Sequence, residues 1–138
     1  AETWQTDDFD AYFSDVDQNG YGLNKRLYNV SSFNGAEWRS NADAGFLKDD
    51  FESTLHADWT VFSGTWATNT GVLEQTDEAE LNTNLYIPVE QSEEYSYLYE
   101  YDMKFISGDA TRRAGLHIFC DDATQTERNN SYLVWFRV

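Results

Sequence analysis

Three groups of residues have types and spacings that could support chemistry, and they point in different directions. The first is Asp15-Val16-Asp17-Gln18-Asn19-Gly20-Tyr21-Gly22. Oxygen donors on Asp15, Asp17 and Asn19, a turn at Gly20 and the backbone carbonyl of Tyr21 match the first half of a calcium loop. Alternate oxygens point inward there because the turn curls the chain around the ion. Calcium is the one cofactor the sequence suggests. The second half of the pattern departs, since Arg26 stands where a bidentate acid belongs, and Asp10 or another acid would have to complete the shell. An Asp- and Asn-rich surface turn accounts for the same residues and is the simpler explanation.

The second group is titratable. Glu100-Tyr101-Asp102 puts two carboxylates on one strand face, the beginning of the acid and nucleophile pair that glycoside hydrolysis requires. Lys104 takes the next place on that face, and the polar side of a strand explains Glu100 and Asp102 as well. His56 and His117 are the only histidines, and no Ser or Cys nucleophile sits in a recognisable turn, so a triad has little support. His117, with Asp121 and Asp122 close behind it, is a candidate for a ligand or metal site; a hydrogen-bonded strand histidine is the plainer reading. No phosphate-cradling loop and no CxxC pair is present. The chain is not expected to be an enzyme.

The third group is aromatic and amide-rich. Trp59, Trp66, Trp135 and the run from Tyr95 to Phe105 offer flat apolar faces on which a sugar ring can stack, although most aromatics at strand period belong to a core. The Asp121-Asp122 loop and the Arg128-Asn129-Asn130 turn carry polar groups of the kind that orient a bound glycan. Asn29-Val30-Ser31 and Asn129-Asn130-Ser131 are glycosylation sequons, meaningful only where the source glycosylates them.

Charge narrows the choice of partner. Nine basic residues stand against 25 acidic ones, a formal net charge of -16. Binding to nucleic acid is disfavoured, because a phosphate backbone needs Lys and Arg to displace its counterions. An anionic membrane surface is disfavoured for the same reason. Disorder is not expected, because aromatics make up 17% of the chain and can supply a core. The apolar runs are only a few residues long, so membrane insertion is not expected. Cys120 is the only cysteine, which rules out an intrachain disulfide, and it lies in the strand-like Leu116-His117-Ile118-Phe119-Cys120 as a small hydrophobe.

The elements that must position these residues are short. Phe9, Tyr12, Phe13 and Val16 are spaced as in an amphipathic turn or helix, and Asn19-Gly20-Tyr21-Gly22 breaks it. Arg26 to Val30 reads as a strand with a turn at Asn34-Gly35. From Asp49 onward, strand patterns appear at Trp59–Phe62, Gly64–Trp66, Gly71–Gln75, Asn84–Val89, Ala114–Cys120 and Ser131–Val138. Tyr95 to Ile106 is the longest, with Tyr95, Tyr97, Tyr99, Tyr101, Met103 and Phe105 alternating onto one face. Short strands punctuated by turns, with no sustained helical period, predict an all-β antiparallel sandwich or jelly roll.

Leu55-His56-Ala57-Asp58-Trp59-Thr60-Val61-Phe62-Ser63-Gly64-Thr65-Trp66, followed by Gly71-Val72-Leu73, resembles the opening of concanavalin-like (laminin-G-like) jelly-roll modules. Arg113 to Asp122 and Arg128 to Arg137 look like two inner strands of such modules, particularly those of large surface proteins of Bacteroidetes-type bacteria. The resemblance covers residues 49–138 and leaves 1–48 as an irregular N-terminal region. It implies an extracellular or cell-surface, non-catalytic binding or adhesion module directed at a glycan or surface polysaccharide. Trp59, Trp66, His117, Asp121, Asp122, Arg128, Asn129 and Trp135 are the candidate ligand residues. Modules of this type carry further strands, so residues 49–138 are expected to form the N-terminal part of the sandwich. The chain is then a piece of a larger protein, or a protein partner completes the sheet. Two alternatives stay open: a structural subunit or secretion cargo assembled with other chains, and the accessory part of a polysaccharide-degrading enzyme.

Overall fold

Among the described residues, eight short strands are paired two by two in antiparallel ladders. The structure is a computed structural model that describes residues 38–138, residues 27–33, 35 and 36, and the single positions Tyr12, Ser14, Gly20 and Gly22. No α-helix occurs among the described residues. The chain is all-β. The calcium-type residues Asp15, Asp17, Asn19 and Tyr21 lie outside the described residues, as does most of the amphipathic segment around Tyr12.

Strand β1 (Ser31–Phe33) pairs with β2 (Trp38–Ser40), and the Phe33 and Trp38 rings meet 5.5 Å apart where the hairpin closes. The strand expected over Arg26–Val30 is therefore displaced: residues 27–30 make no ladder, and pairing begins at Ser31. Register in a hairpin follows from the chain between its strands, and here the partners of Trp38–Ser40 are Ser31–Phe33. One further bond, from Asn41 N–H to the Val30 carbonyl (3.1 Å), ends the pairing. A 3-10 turn over Ala42–Ala44 follows, capped by the Asn41 side chain, which accepts from Ala44 N–H at 3.2 Å.

The next four strands are nested. Strand β3 (Thr60–Ser63) pairs with β6 (Asn84–Tyr86), and between them lies the hairpin of β4 (Trp66–Thr68) and β5 (Leu73–Gln75). The turn from β3 to β4 passes through Gly64 at φ +86°, and a Cβ there would come within 2.6 Å of the Thr83 side chain. Glycine is needed for both conformation and space. Strand β6 stops at Tyr86, before Pro88, which has no N–H to extend a ladder.

Tyr95 to Ile106, expected as the longest strand, forms no ladder. Its alternation is visible in burial only in part: Tyr97, Tyr99 and Phe105 are half-buried, whereas Tyr95, Tyr101 and Met103 of the same face are exposed, as are Leu98, Glu100, Asp102, Lys104 and Ile106. Period-two patterning decides which side chains share a face, but a strand also needs a partner backbone in register. None of the described residues supplies one here.

The longest ladder joins β7 (Arg113–Ile118) to β8 (Tyr132–Arg137), with Arg113 opposite Arg137, Gly115 opposite Trp135 and Ile118 opposite Tyr132. The pleat gives the two faces different chemistry. Ala114, Leu116, Ile118, Tyr132, Val134 and Phe136 form an apolar face. Tyr101 meets Phe136 edge-on there, with ring centroids 6.5 Å apart. Arg113, Gly115, His117, Leu133, Trp135 and Arg137 form the other face. No apolar side chain is buried among the described residues, and Val134, Trp135 and Phe136 are each about half exposed.

Candidate functional site

The hairpin loop between β7 and β8 is a polar segment held by many contacts. Phe119 turns the chain at φ +49°, and Arg128 and Asn129 turn it back at φ +56° and +52°. Three such residues outside glycine imply a loop whose shape is held by its own contacts. At its base, Asp121 N–H donates to the Asn130 carbonyl (3.0 Å) and Asn130 Nδ2 to the Asp121 carboxylate (2.8 Å). At its tip, the Asp122 carboxylate accepts from Thr124 N–H (2.9 Å), Thr124 Oγ1 (2.6 Å) and Gln125 Nε2 (3.1 Å). The Thr124 hydroxyl, then its N–H, then the Gln125 amide hold the Asp122 carboxyl below the usual carboxylate range.

Two anchors tie the loop to the nested ladders. Arg128 donates through its guanidinium to the carbonyls of Asn82 (3.1 Å) and Thr83 (3.0 Å), and also to Thr126 within the loop. Asn84 Nδ2 on β6 donates to the Ala123 carbonyl. Cys120 adds a contact from Sγ to the Arg128 carbonyl at 2.8 Å. His117 Nδ1 lies 2.8 Å from Ser131 Oγ; burial first, and then the positive charge of Arg128, hold its pKa below the ordinary histidine value.

These contacts leave two shallow depressions that meet at Asn129 and Asn130. One, of about 380 Å³, has Phe119 and Tyr132 in its walls, with Glu93, Asp121, Asn129 and Asn130 supplying polar groups. The two rings stand edge to face with centroids 6.2 Å apart, and the Tyr97 ring lies 6.1 Å from Phe119. The other, of about 610 Å³, has Asp122, Gln125, Thr126 and Glu127 beside the shared asparagines. An aromatic wall next to amides and carboxylates matches the two sides of a sugar, an apolar ring face and a rim of hydroxyls.

Asp121, Asp122 and Asn129 of the expected ligand residues come together at these depressions. Arg128 is beside them, but its guanidinium engages three carbonyls and shapes the loop. His117 lies at the hairpin end of the loop against Ser131. Trp135 is four residues further out on β8, half exposed, with the Arg113 guanidinium 5.2 Å from its ring. Trp59 and Trp66 line neither depression. The Trp59 indole N–H is bonded to Asp49 (2.8 Å), its ring lies near Phe51, and the Trp66 indole N–H reaches the Ser63 carbonyl (2.9 Å). Among the described residues no three His, Cys, Asp or Glu side chains cluster to hold a metal ion.

No family model matches this chain, and neither the curated proteins nor the solved structures give a match. The geometry must therefore carry the functional argument. Phe119, Tyr132 and Glu93 are the residues that sequence reasoning missed. Phe119 and Tyr132 read as strand residues, and their position just outside both ends of an Asp/Asn-rich loop was the available signal.

Proposed function

We propose that this chain is a non-catalytic binding or adhesion module of the concanavalin-like jelly-roll type, extracellular or on a cell surface, directed at a glycan. The observation that supports this reading most is the 380 Å³ depression, where Phe119 and Tyr132 stand beside Asp121, Asn129 and Asn130. It offers an aromatic surface for stacking and both donors and acceptors for hydroxyls. Binding of the intact chain to a glycan array, followed by titration of the best hit, is the test. Tyr132→Ala and Asn129→Ala should each weaken binding by about tenfold, the loss expected for one stacking or hydrogen-bonding contact. A silent array, or binding indifferent to both substitutions, rules the reading out.

Assembly with other chains is the alternative with an observation in its favour. The apolar face of β7 and β8 is half exposed, and among the described residues each strand has one neighbour only. Calcium belongs to the proposal on sequence grounds alone, through Asp15, Asp17, Asn19 and Tyr21. Chelation should lower the melting temperature of the parent and leave that of Asp17→Ala unchanged. Equal curves with and without chelator would remove calcium from the account.

A further inference from the structure

The face of the β7–β8 hairpin opposite Tyr101 carries a second feature, separate from the loop depressions. Arg113 and Arg137 face each other directly across the ladder. Like charges in that position repel, so the pairing is unfavourable unless an anion lies between them. The chain has 25 acidic residues, yet no carboxylate among the described residues forms an ion pair with either arginine. Arg137 donates through Nε to the Ala110 carbonyl (2.9 Å), which fixes its stem and leaves the terminal Nη groups for another partner. Arg113 stacks over Trp135, diagonal to it on the same face, at 5.2 Å. Stacking uses the flat face of a guanidinium and leaves its N–H edge free, so the fork is held in place for a bidentate acceptor.

Gly115 completes the arrangement. It lies beside Arg113 on this face and opposite Trp135, and a Cβ at that position would fall 2.1 Å from the Val134 carbonyl oxygen and 2.6 Å from Trp135 Cα. The backbones approach too closely for any side chain, so the floor between the arginines and the indole stays bare. From this arrangement we infer that Arg113, Arg137 and Trp135 form a subsite for the carboxylate of an acidic sugar, making uronic-acid polysaccharides the ligand class of this module. The inference rests on the glycan-binding reading above and specifies its substrate. The net charge of -16 opposes an anionic ligand at long range, but at physiological salt that field is screened beyond about 8 Å, and contact with two guanidinia decides the outcome.

The experiment is calorimetric titration of the full chain with oligogalacturonates and with their methyl esters. The free acids should bind, and esterification should weaken binding about tenfold, as expected for a lost charge-assisted pair. Arg113→Gln and Arg137→Gln should produce a loss of similar size. Arg113→Lys keeps the charge without the fork and should recover only part of it, which guards against a variant that simply fails to fold. Equal affinity for acid and ester overturns the inference, as does parental affinity in both Gln variants. Equally tight binding of polyglutamate overturns it too, because the site would then read carboxylates on peptides. Neutral glycans that bind in an Asn129-dependent way, with no preference for acids, would leave the loop reading intact and remove this one. No glycan binding of any kind removes both.

Discussion

His117 is the residue whose environment makes the clearest demand on pH. It is half-buried against Ser131, and both burial and Arg128 disfavour its charged form. Its folded pKa is thus below the unfolded value of about 6.5, and the unfolded chain takes up the proton first. Stability is complete above that pH and falls as pH drops through the folded pKa, then levels. Thermal melts between pH 7.5 and 5 should show this fall in the parent, and His117→Gln should lack that component. Identical pH profiles for the two proteins would disprove it. Asp109 and Asp122 act in a different window. Hydrogen bonds from Thr111 and Thr124 hold both carboxyls below their ordinary value, so their contribution is lost only as pH falls well into the acid range. The two regimes separate on a single titration.

The 119–131 loop depends on Arg128, because one guanidinium joins the loop to the Asn82-Thr83 turn. Its planar fork reaches both carbonyls at once, which a lysine ammonium on a flexible stem does less well. Arg128→Ala should cost about 1–2 kcal/mol in urea denaturation, the range for losing hydrogen bonds from a charged donor at a partly exposed site. Amide exchange should speed up across residues 121–130 while β7 and β8 keep their protection. Arg128→Lys should restore only part of the difference. Uniform loss of protection across the hairpin would instead mean that Arg128 supports the ladder itself. On the glycan-binding proposal, binding and local order are linked here, since Asn129 and Asp121 line the depression in this loop conformation.

For the whole molecule, the main fact is that the ladders stay two-stranded and no apolar side chain is buried among the described residues. An isolated pair of strands is marginal in water and gains independent stability from a third strand or a packed face. The apolar face of β7 and β8 meets the Tyr95–Ile106 segment at Tyr101 and is otherwise half exposed. Sedimentation across a concentration series tests whether that face holds chains together. On the assembly alternative, the parent should self-associate and Phe136→Glu or Val134→Glu should keep it monomeric. A parent that stays monomeric at every concentration removes self-assembly from the account.

Strand content and turn positions were legible because they follow from local chemistry. Gly64 permits the left-handed turn between β3 and β4, Pro88 cannot extend β6, and the strand patterns over Ala114–Cys120 and Ser131–Val138 overlap β7 and β8, although the longest strand was expected over 95–106. The 95–106 run was misread because alternation sets a face without supplying a partner backbone. The strand near 26–30 was misplaced because its register came from the chain that follows it. At the candidate site, Asp121, Asp122 and Asn129 were visible as a polar loop, while Phe119 and Tyr132 were hidden by their strand-like surroundings. By itself, then, the sequence determined an acidic all-β chain with its turns, its polar loop and an arginine at each end of the β7–β8 hairpin. Only the tertiary structure decided that Arg128 anchors the loop, that Trp59 and Trp66 stay away from it, and that Arg113 and Arg137 lie opposite each other. The reason is physical: composition and spacing fix what each residue prefers locally, whereas long-range register decides which residues meet.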